Sequence, residues 1–498
     1  MSQALDSEAR SIIRGFKWTY ASVALQGFLK LAVLMILARL LSPRDFGLLS
    51  FALLCTSFIE RIVQGGIAPA LVQLERLSSD AVCTAWWLSG VLGVCSTIAV
   101  HSSANAVAIF LGEPELAAII KVLSLGCMLE AMVAIPEALL QRELRCKEIM
   151  IADNVAYLIA MLGVCAALAF AGWGVWSLVM AQLSLKIIRL VLIIPVAPRP
   201  SGGYYSWYYT RHLIHMGFGF SLGRLLNFFS LQGDNFVVGR LLGAEALGMY
   251  TRAYQLMTLP AMYVGQVFER VMFPAMSRKQ AAPERLANDF LMALEILTLV
   301  ALPAGVVMFV LAREIVLVGF GGAWISVVPV VSVLAFGVFF RTAYKCSDTV
   351  VRSVGAVYHY AGRQALYAVL VLGGAMIGAL HNGVPGVAWA VVIAVALNYI
   401  SMTRLSTRLV AVSLGQVLQA HLVGIWASLW VAVALVGSID TVRAHSEYEV
   451  LVLIESVAIA VLAWLAGVAV AALLVPFGCL PGFMKLLSVL PNRITPHR

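Results

Sequence analysis

Apolar runs of about 18 to 25 residues follow one another from near residue 18 to near residue 475, and no other feature constrains the fold so tightly. Each run is long enough to cross about 30 Å of hydrocarbon as a helix. Inside a bilayer, backbone N–H and C=O groups must be satisfied within a helix or a closed barrel. Barrel strands alternate apolar with polar residues, and these runs are apolar on all sides, which leaves helices. The composition agrees, with 61% of residues apolar and 12% charged, outside the range of soluble domains. The expectation is an all-α membrane protein with about fourteen transmembrane helices. The weakest breaks fall at Gly172–Trp173–Gly174 and from His381 to Pro385, where short turns join neighbouring spans.

The net charge of +9 is unevenly placed. With the N-terminus inside, basic residues collect in cytoplasmic segments: Arg10, Arg14 and Lys17, then Arg142, Arg145 and Lys147, then Arg270, Arg278, Lys279 and Arg285, and finally Lys485, Arg493 and Arg498. The outer loops carry Arg39, Arg44, Arg240, Arg313 and Arg443. This bias assigns both termini to the cytoplasm and makes the charge an orientation signal, with no nucleic-acid partner implied. The length of the first run and its Lys30 mark an anchor instead of a cleaved signal peptide. The 8 cysteines form no C-x-x-C pair and read as small apolar fillers. His212 and His215 share a helix face without a third ligand, so no metal site is expected.

Two stretches repeat. Ala38 to Leu49 reads ARLLSPRDFGLL and Gly239 to Tyr250 reads GRLLGAEALGMY, with Arg39 and Gly47 matched by Arg240 and Gly248. Further on, Ala167–Leu168 and Gly174–Val175 match Ala379–Leu380 and Gly386–Val387, and the acid-to-base step Glu137…Arg142 resembles Asp348…Arg352. The pattern predicts two copies of a six-helix unit. Six being even, both copies enter from the same side, so they are parallel lobes related by a pseudo-twofold along the membrane normal. The expected division is 1–200 for the first lobe, 201–410 for the second, and 411–498 for two further helices with a cytoplasmic tail. YYSWYY at 204–209 reads as an amphipathic surface segment between the lobes.

Paired parallel lobes suit a transporter that exposes a central cavity to each side in turn. Charges in hydrocarbon are costly unless they face a wet interior, so each one within a span is a candidate. These are Lys30, Glu60, Arg61, Glu130, Asp153, Arg224, Asp234 and Arg252, with Gln26, Asn227 and Gln232 nearby. Arg224, Asn227 and Asp234 fall on one helical stripe, and Gln26 matches Asn227 across the repeat. The candidate cavity-lining set is therefore Arg224, Lys30, Arg252, Arg61, Asn227 and Gln26. Asp234 and Glu60 are candidates for binding a coupling proton or sodium ion, or for supporting an arginine. Glu60 beside Arg61, and Lys345 three residues from Asp348, also read as ion pairs near the membrane surface.

ARLLSPRDFGLLSFALL from residue 38 with GGIAPALVQ at 65–73, and then DNFVVGRLLGAEALGMYTRAYQLMTLP at 234–260 with RVMFPAMSR at 270–278, resemble the two lobe signatures of Wzx-type polysaccharide flippases. These belong to the multidrug/oligosaccharidyl-lipid/polysaccharide (MOP) exporter superfamily, and the pattern is similar to its colanic-acid and xanthan exporter branch. The resemblance implies a non-enzymatic flippase, without cofactor, in the bacterial inner membrane. Its substrate would be an undecaprenyl-diphosphate-linked oligosaccharide repeat unit moved from the inner to the outer leaflet. Its partners would be membrane lipids, a polymerase and a chain-length regulator. A diphosphate needs cations, and an arginine offers it a planar, permanently charged fork. A multidrug or cation antiporter of the same superfamily is the alternative, with a polytopic polysaccharide polymerase or ligase behind it.

Overall fold

A computed structural model of the chain describes residues 27, 29–63, 66–74, 77–198, 202–277, 283–446 and 448–474. Among these residues there are helices and the turns between them, and no strand. We number the helices α1 (29–40), α2 (Pro43–Val63), α3 (Ile67–Gln73), α4 (Ser79–Leu111), α5 (Glu115–Leu123), α6 (Leu125–Arg142), α7 (Cys146–Leu158), α8 (Ala166–Phe170) and α9 (Val175–Ile193). They continue with α10 (Trp207–Ser277), α11 (Pro283–Val310), α12 (Ala312–Gly319), α13 (Val328–Ala335), α14 (Gly337–Ser353), α15 (Val357–Leu409), α16 (Leu414–His445) and α17 (Glu449–Leu474). Eight helical stretches among the described residues are long and apolar enough to cross a membrane, or nine if α13 and α14, with the helical turn before them, form one span bent by 43°. That tally is smaller than the fourteen spans expected from hydropathy, partly because α15 is counted once.

The two longest helices are not single rods. At 1.5 Å per residue, the 71 residues of α10 would extend to about 107 Å and the 53 of α15 to about 80 Å, far beyond one bilayer. α10 is interrupted at Gly243 (φ 87°, ψ 177°), between the two halves of the second repeated motif. α15 is interrupted at Asn382 and Gly383, and Gly383 takes φ 59°, a left-handed value that glycine adopts without a Cβ clash. Beside that break Gly378 and Gly386 lie backbone against backbone, so the arms turn back on one another. The turn expected from His381 to Pro385 is in place. So is the one at Gly172–Gly174, where both glycines have positive φ and α9 begins at Val175.

Packing divides the chain into two compact units, residues 1–251 and 252–498. In the first unit, Ile67, Leu71, Val82, Ile135, Leu139 and Leu213 close a core between α3, α4, α6 and the start of α10. Between α7 and α8 the helix widens to a π-helical stretch over Ile159–Cys165 within the span Lys147–Phe170. In the second unit, Leu286, Phe290, Leu297, Val350, Tyr399 and Met402 form the corresponding core. α16 and α17 belong to that second unit. Arg443 on α16 grips the fully buried Glu314 at 2.6 Å, and Arg313 pairs with Glu449 on α17 at 3.3 Å. Large apolar side chains such as Ile98, Ile109 and Phe170 point outward, as expected of a surface solvated by lipid.

Candidate functional site

The first unit carries a network of charges inside its spans. α9 presents Lys186 and Arg189, three residues apart and therefore on one face. Lys186 Nζ lies 2.8 Å from Glu60 on α2 and 3.8 Å from Glu130 on α6. It also donates to the carbonyl of Gly126 at 3.1 Å. Arg189 reaches Asp153 on α7 at 2.7 Å, Glu137 at 2.8 Å and Glu130 at 3.5 Å. Four helices are thus joined by four carboxylates and two cations. Glu130, shared by both cations, has the longest contacts and is 38% exposed, whereas Arg189 is 15% exposed. Each carboxylate and each cation of the network has an opposite charge within 4 Å, which is what makes charge inside a span tolerable, although the acids outnumber the bases four to two.

Lys30 and Arg61 flank this network. Lys30 Nζ lies over the Tyr157 ring at 5.9 Å, and Tyr157 sits one turn from Asp153 on the same helix. Arg61 lies over the Phe228 ring at 5.5 Å. The expected pairing of Glu60 with its neighbour Arg61 is corrected: Glu60 is held by Lys186. Adjacent helical residues are about 100° apart around the axis, so each finds its partner on a different neighbour. Arg142 turns from the network and donates to the carbonyls of Leu71, Val72 and Leu74, closing the C-terminus of α3.

At the other end of this unit the two copies of the repeated motif meet. A Cβ on Gly47 would collide with the Ala244 carbonyl oxygen, and a Cβ on Gly248 would collide with that of Pro43. The matched glycines are therefore apposed, backbone to backbone. Gly66 and Gly217 make a second such contact, and Gly239 receives the Phe51 ring. Glu113 fastens the seam. It accepts from Arg44 of the first copy at 3.1 Å and from the Ala244 N–H of the second at 3.3 Å. Asp234 is 2% exposed and accepts from the Tyr250 hydroxyl at 2.7 Å and from the Asn235 N–H at 2.9 Å.

Of the residues singled out from sequence, Glu60 and Arg61 are neighbours on α2, Lys30 lies against Tyr157 of α7, and Asp234 lies near the seam. Arg252 is in the second unit and donates to Gln255 at 2.7 Å. Gln26 and the side chains of Arg224 and Asn227 lie outside the described residues. Sequence reasoning overlooked Lys186, Arg189 and Glu137 as network members. The signal was there, in two bases three apart on α9 and two acids seven apart on α6. In the second unit, Asp348 pairs with Arg352 at 2.8 Å, where the sequence suggested Lys345, and it accepts from the Tyr344 hydroxyl at 3.2 Å.

A family model described as "Polysaccharide biosynthesis protein" matches residues 36–329. The succinoglycan biosynthesis transport protein ExoT of Rhizobium meliloti is 26% identical over 331 residues, 66% of this chain and 66% of that one. The lipopolysaccharide biosynthesis protein WzxC of Escherichia coli is 26% identical over 343 residues, 65% of this chain and 66% of its own. The matched stretch thus spans just under two thirds of both relatives. The teichuronic acid biosynthesis protein TuaB of Bacillus subtilis is 23% identical over 80% of this chain and 82% of its own. Among solved structures, the lipid II flippase MurJ in an inward closed conformation has a TM-score of 0.73 at 13% identity, covering 92% of this chain and 98% of that one. An inward-facing multidrug resistance MATE transporter of the MOP superfamily has a TM-score of 0.64 at 16% identity, covering 78% and 95%. At these identities the structural likeness speaks for the fold.

Proposed function

The chain belongs to the polysaccharide biosynthesis protein family, and from that premise we propose that it is a flippase for undecaprenyl-diphosphate-linked oligosaccharide repeat units. It carries them from the inner to the outer leaflet of the bacterial inner membrane by alternating access. The observation that carries this reading is the family match over 36–329, which takes in both copies of the repeated motif. The names of ExoT and WzxC, a transport protein and a lipopolysaccharide biosynthesis protein, support it.

A diphosphate cannot cross hydrocarbon bare, so the protein must offer it compensating charge within the membrane. Lys30, Arg61, Arg224 and Arg252 are the cations assigned to that task, with Gln26 and Asn227 beside them. An arginine meets a phosphate with two parallel N–H donors, which a lysine cannot do. Asp234 and Glu60 serve either to hold cations in place or to take up a coupling proton or sodium ion. Both termini lie in the cytoplasm, and a polymerase and a chain-length regulator act on the delivered units. A reporter fused after Arg199 then reads cytoplasmic and one fused after Gly243 reads periplasmic.

The decisive experiment is deletion of the gene. Complete lipid-linked repeat units should accumulate on the cytoplasmic side; unassembled sugars, or unpolymerised units displayed outside, would sink the proposal. Within the site, Arg224→Ala should abolish export at normal protein level, and Arg224→Lys should restore it in part. Arg285→Ala, at the exposed start of α11, serves as the control.

A further inference from the structure

The second arm of α15, after the break at Gly383, carries one continuous stripe on its outer side. Ile393, Leu397, Ile400, Arg404 and Arg408 are spaced three or four residues apart and fall within about 80° around the helix axis. All five are exposed, whereas Val395 and Met402 on the far side of the helix are buried. Arg363 joins the stripe from the first arm. Its Nε donates to the Ser401 carbonyl and its Nη1 to the His359 carbonyl, each at 3.2 Å. The guanidinium is thereby held across the two arms, one turn from Arg404.

No acid answers these bases. From residue 349 to residue 439 the sequence contains no Asp or Glu. Among the described residues, none of the three arginines meets a carboxylate. At the opposite end of the same unit, by contrast, Arg313 pairs with Glu449 and Arg443 with Glu314. In the proposed orientation α15 ends in the cytoplasm, so the arginines stand at the headgroup level of the inner leaflet and the apolar part of the stripe faces its acyl chains. Tyr358, exposed at the same end of the first arm, suits that level too. Ile393 to Arg408 extends about 22 Å at the helical rise, the depth of one leaflet with its headgroups.

We propose that this face binds an anionic phospholipid of the inner leaflet, its phosphate on Arg363, Arg404 and Arg408 and an acyl chain along Ile393–Ile400. The assignment takes only its orientation from the flippase reading and uses none of the cations assigned to the transported diphosphate. Arginines and apolar side chains share one helix face, and a molecule with an anionic head and an apolar tail covers both. A zwitterionic lipid would bring an ammonium as well, and no carboxylate stands here to receive it. Hydrocarbon surrounds the acyl chain with or without the protein, so the arginines supply the selectivity. A phosphate shared by Arg363 and Arg404 also ties the inner ends of the two arms together.

The test uses the full chain in nanodiscs of phosphatidylcholine with a trace of phosphatidylglycerol carrying a diazirine on its acyl chain. Labelling should map to the peptide containing Ile393–Ile400. Arg404→Gln combined with Arg408→Gln should lower that labelling about tenfold, and the corresponding pair of lysine variants should keep most of it. Arg285→Gln, which removes another exposed arginine of the same unit, should leave it unchanged. Unlabelled phosphatidylglycerol should compete, and phosphatidylethanolamine at the same concentration should not. Labelling elsewhere, normal labelling of the glutamine pair, or an equal fall with Arg285→Gln would each overturn the site. Stronger competition by undecaprenyl diphosphate than by phosphatidylglycerol would overturn the phospholipid as its occupant. Should the glutamine pair be lost from the membrane, the peptide map and the lipid competition still decide. Failure of the site leaves the flippase reading standing, because that reading is decided by accumulation in the deletion strain.

Discussion

The two units solve the same problem, polar groups inside a membrane, in different ways. In the first, Arg189 alone reaches three carboxylates on two other helices, and Lys186 reaches two. In the second, the described ion pairs are separate, Arg443 with Glu314 and Arg352 with Asp348, and hydroxyls supply much of the rest of the polar interior. Tyr344 donates to Asp348 and accepts from Gln364, Arg341 donates to the Tyr367 hydroxyl at 3.0 Å, and Ser347 meets Thr403 at 3.0 Å. The matched acid-to-base steps show the divergence. Asp348 and Arg352 are four apart, share a face and pair with one another. Glu137 and Arg142 are five apart and cannot, so the acid turns to Arg189 and the arginine to the end of α3. One residue of spacing separates a local pair from a network across helices.

The largest effect that would sharpen this contrast comes from Arg189. Arg189→Ala strands Glu137 and Asp153 inside the membrane, and breaking such a pair from one side costs about 3–5 kcal/mol. The variant should be nearly absent from the membrane by immunoblot, with Arg189→Lys restoring it in part. Arg352→Ala should cost only about 1–3 kcal/mol by thermal unfolding in detergent, because Asp348 keeps the Tyr344 hydroxyl. Equal losses for the two arginines would break the comparison.

The seam comes next. Gly47→Ala and Gly248→Ala both drive a methyl into backbone and should lower stability by about 1–3 kcal/mol. Gly437→Ala, which meets nothing within 4 Å, is the silent control. Two seam variants as stable as the control would show that the matched glycines are not apposed. The smallest effect belongs to Glu113. Its partner Arg44 is half exposed, so Glu113→Gln should cost at most about 1 kcal/mol, and a midpoint measured at high salt should shrink the difference further. A loss larger than that of Gly47→Ala would make the ion pair, and not the close backbone approach, the main bond of the seam.

Much of this could be read along the chain. Hydrophobic run length dictates helices because a bilayer leaves backbone groups no other partners, and glycines at 172, 174 and 383 mark the turns by their positive φ. The repeat of Arg39 and Gly47 at Arg240 and Gly248 was visible as well. Its meaning was not, since a sequence match reports a shared plan and not that the two copies touch. Tertiary structure decided that contact, and it decided the ion pairs too. Glu60 and Lys186 are 126 residues apart, and no local spacing brings them together. Pattern fixes which face of a helix a side chain occupies, while packing chooses the helix it faces, so the charges were legible from sequence and their partners only from the fold.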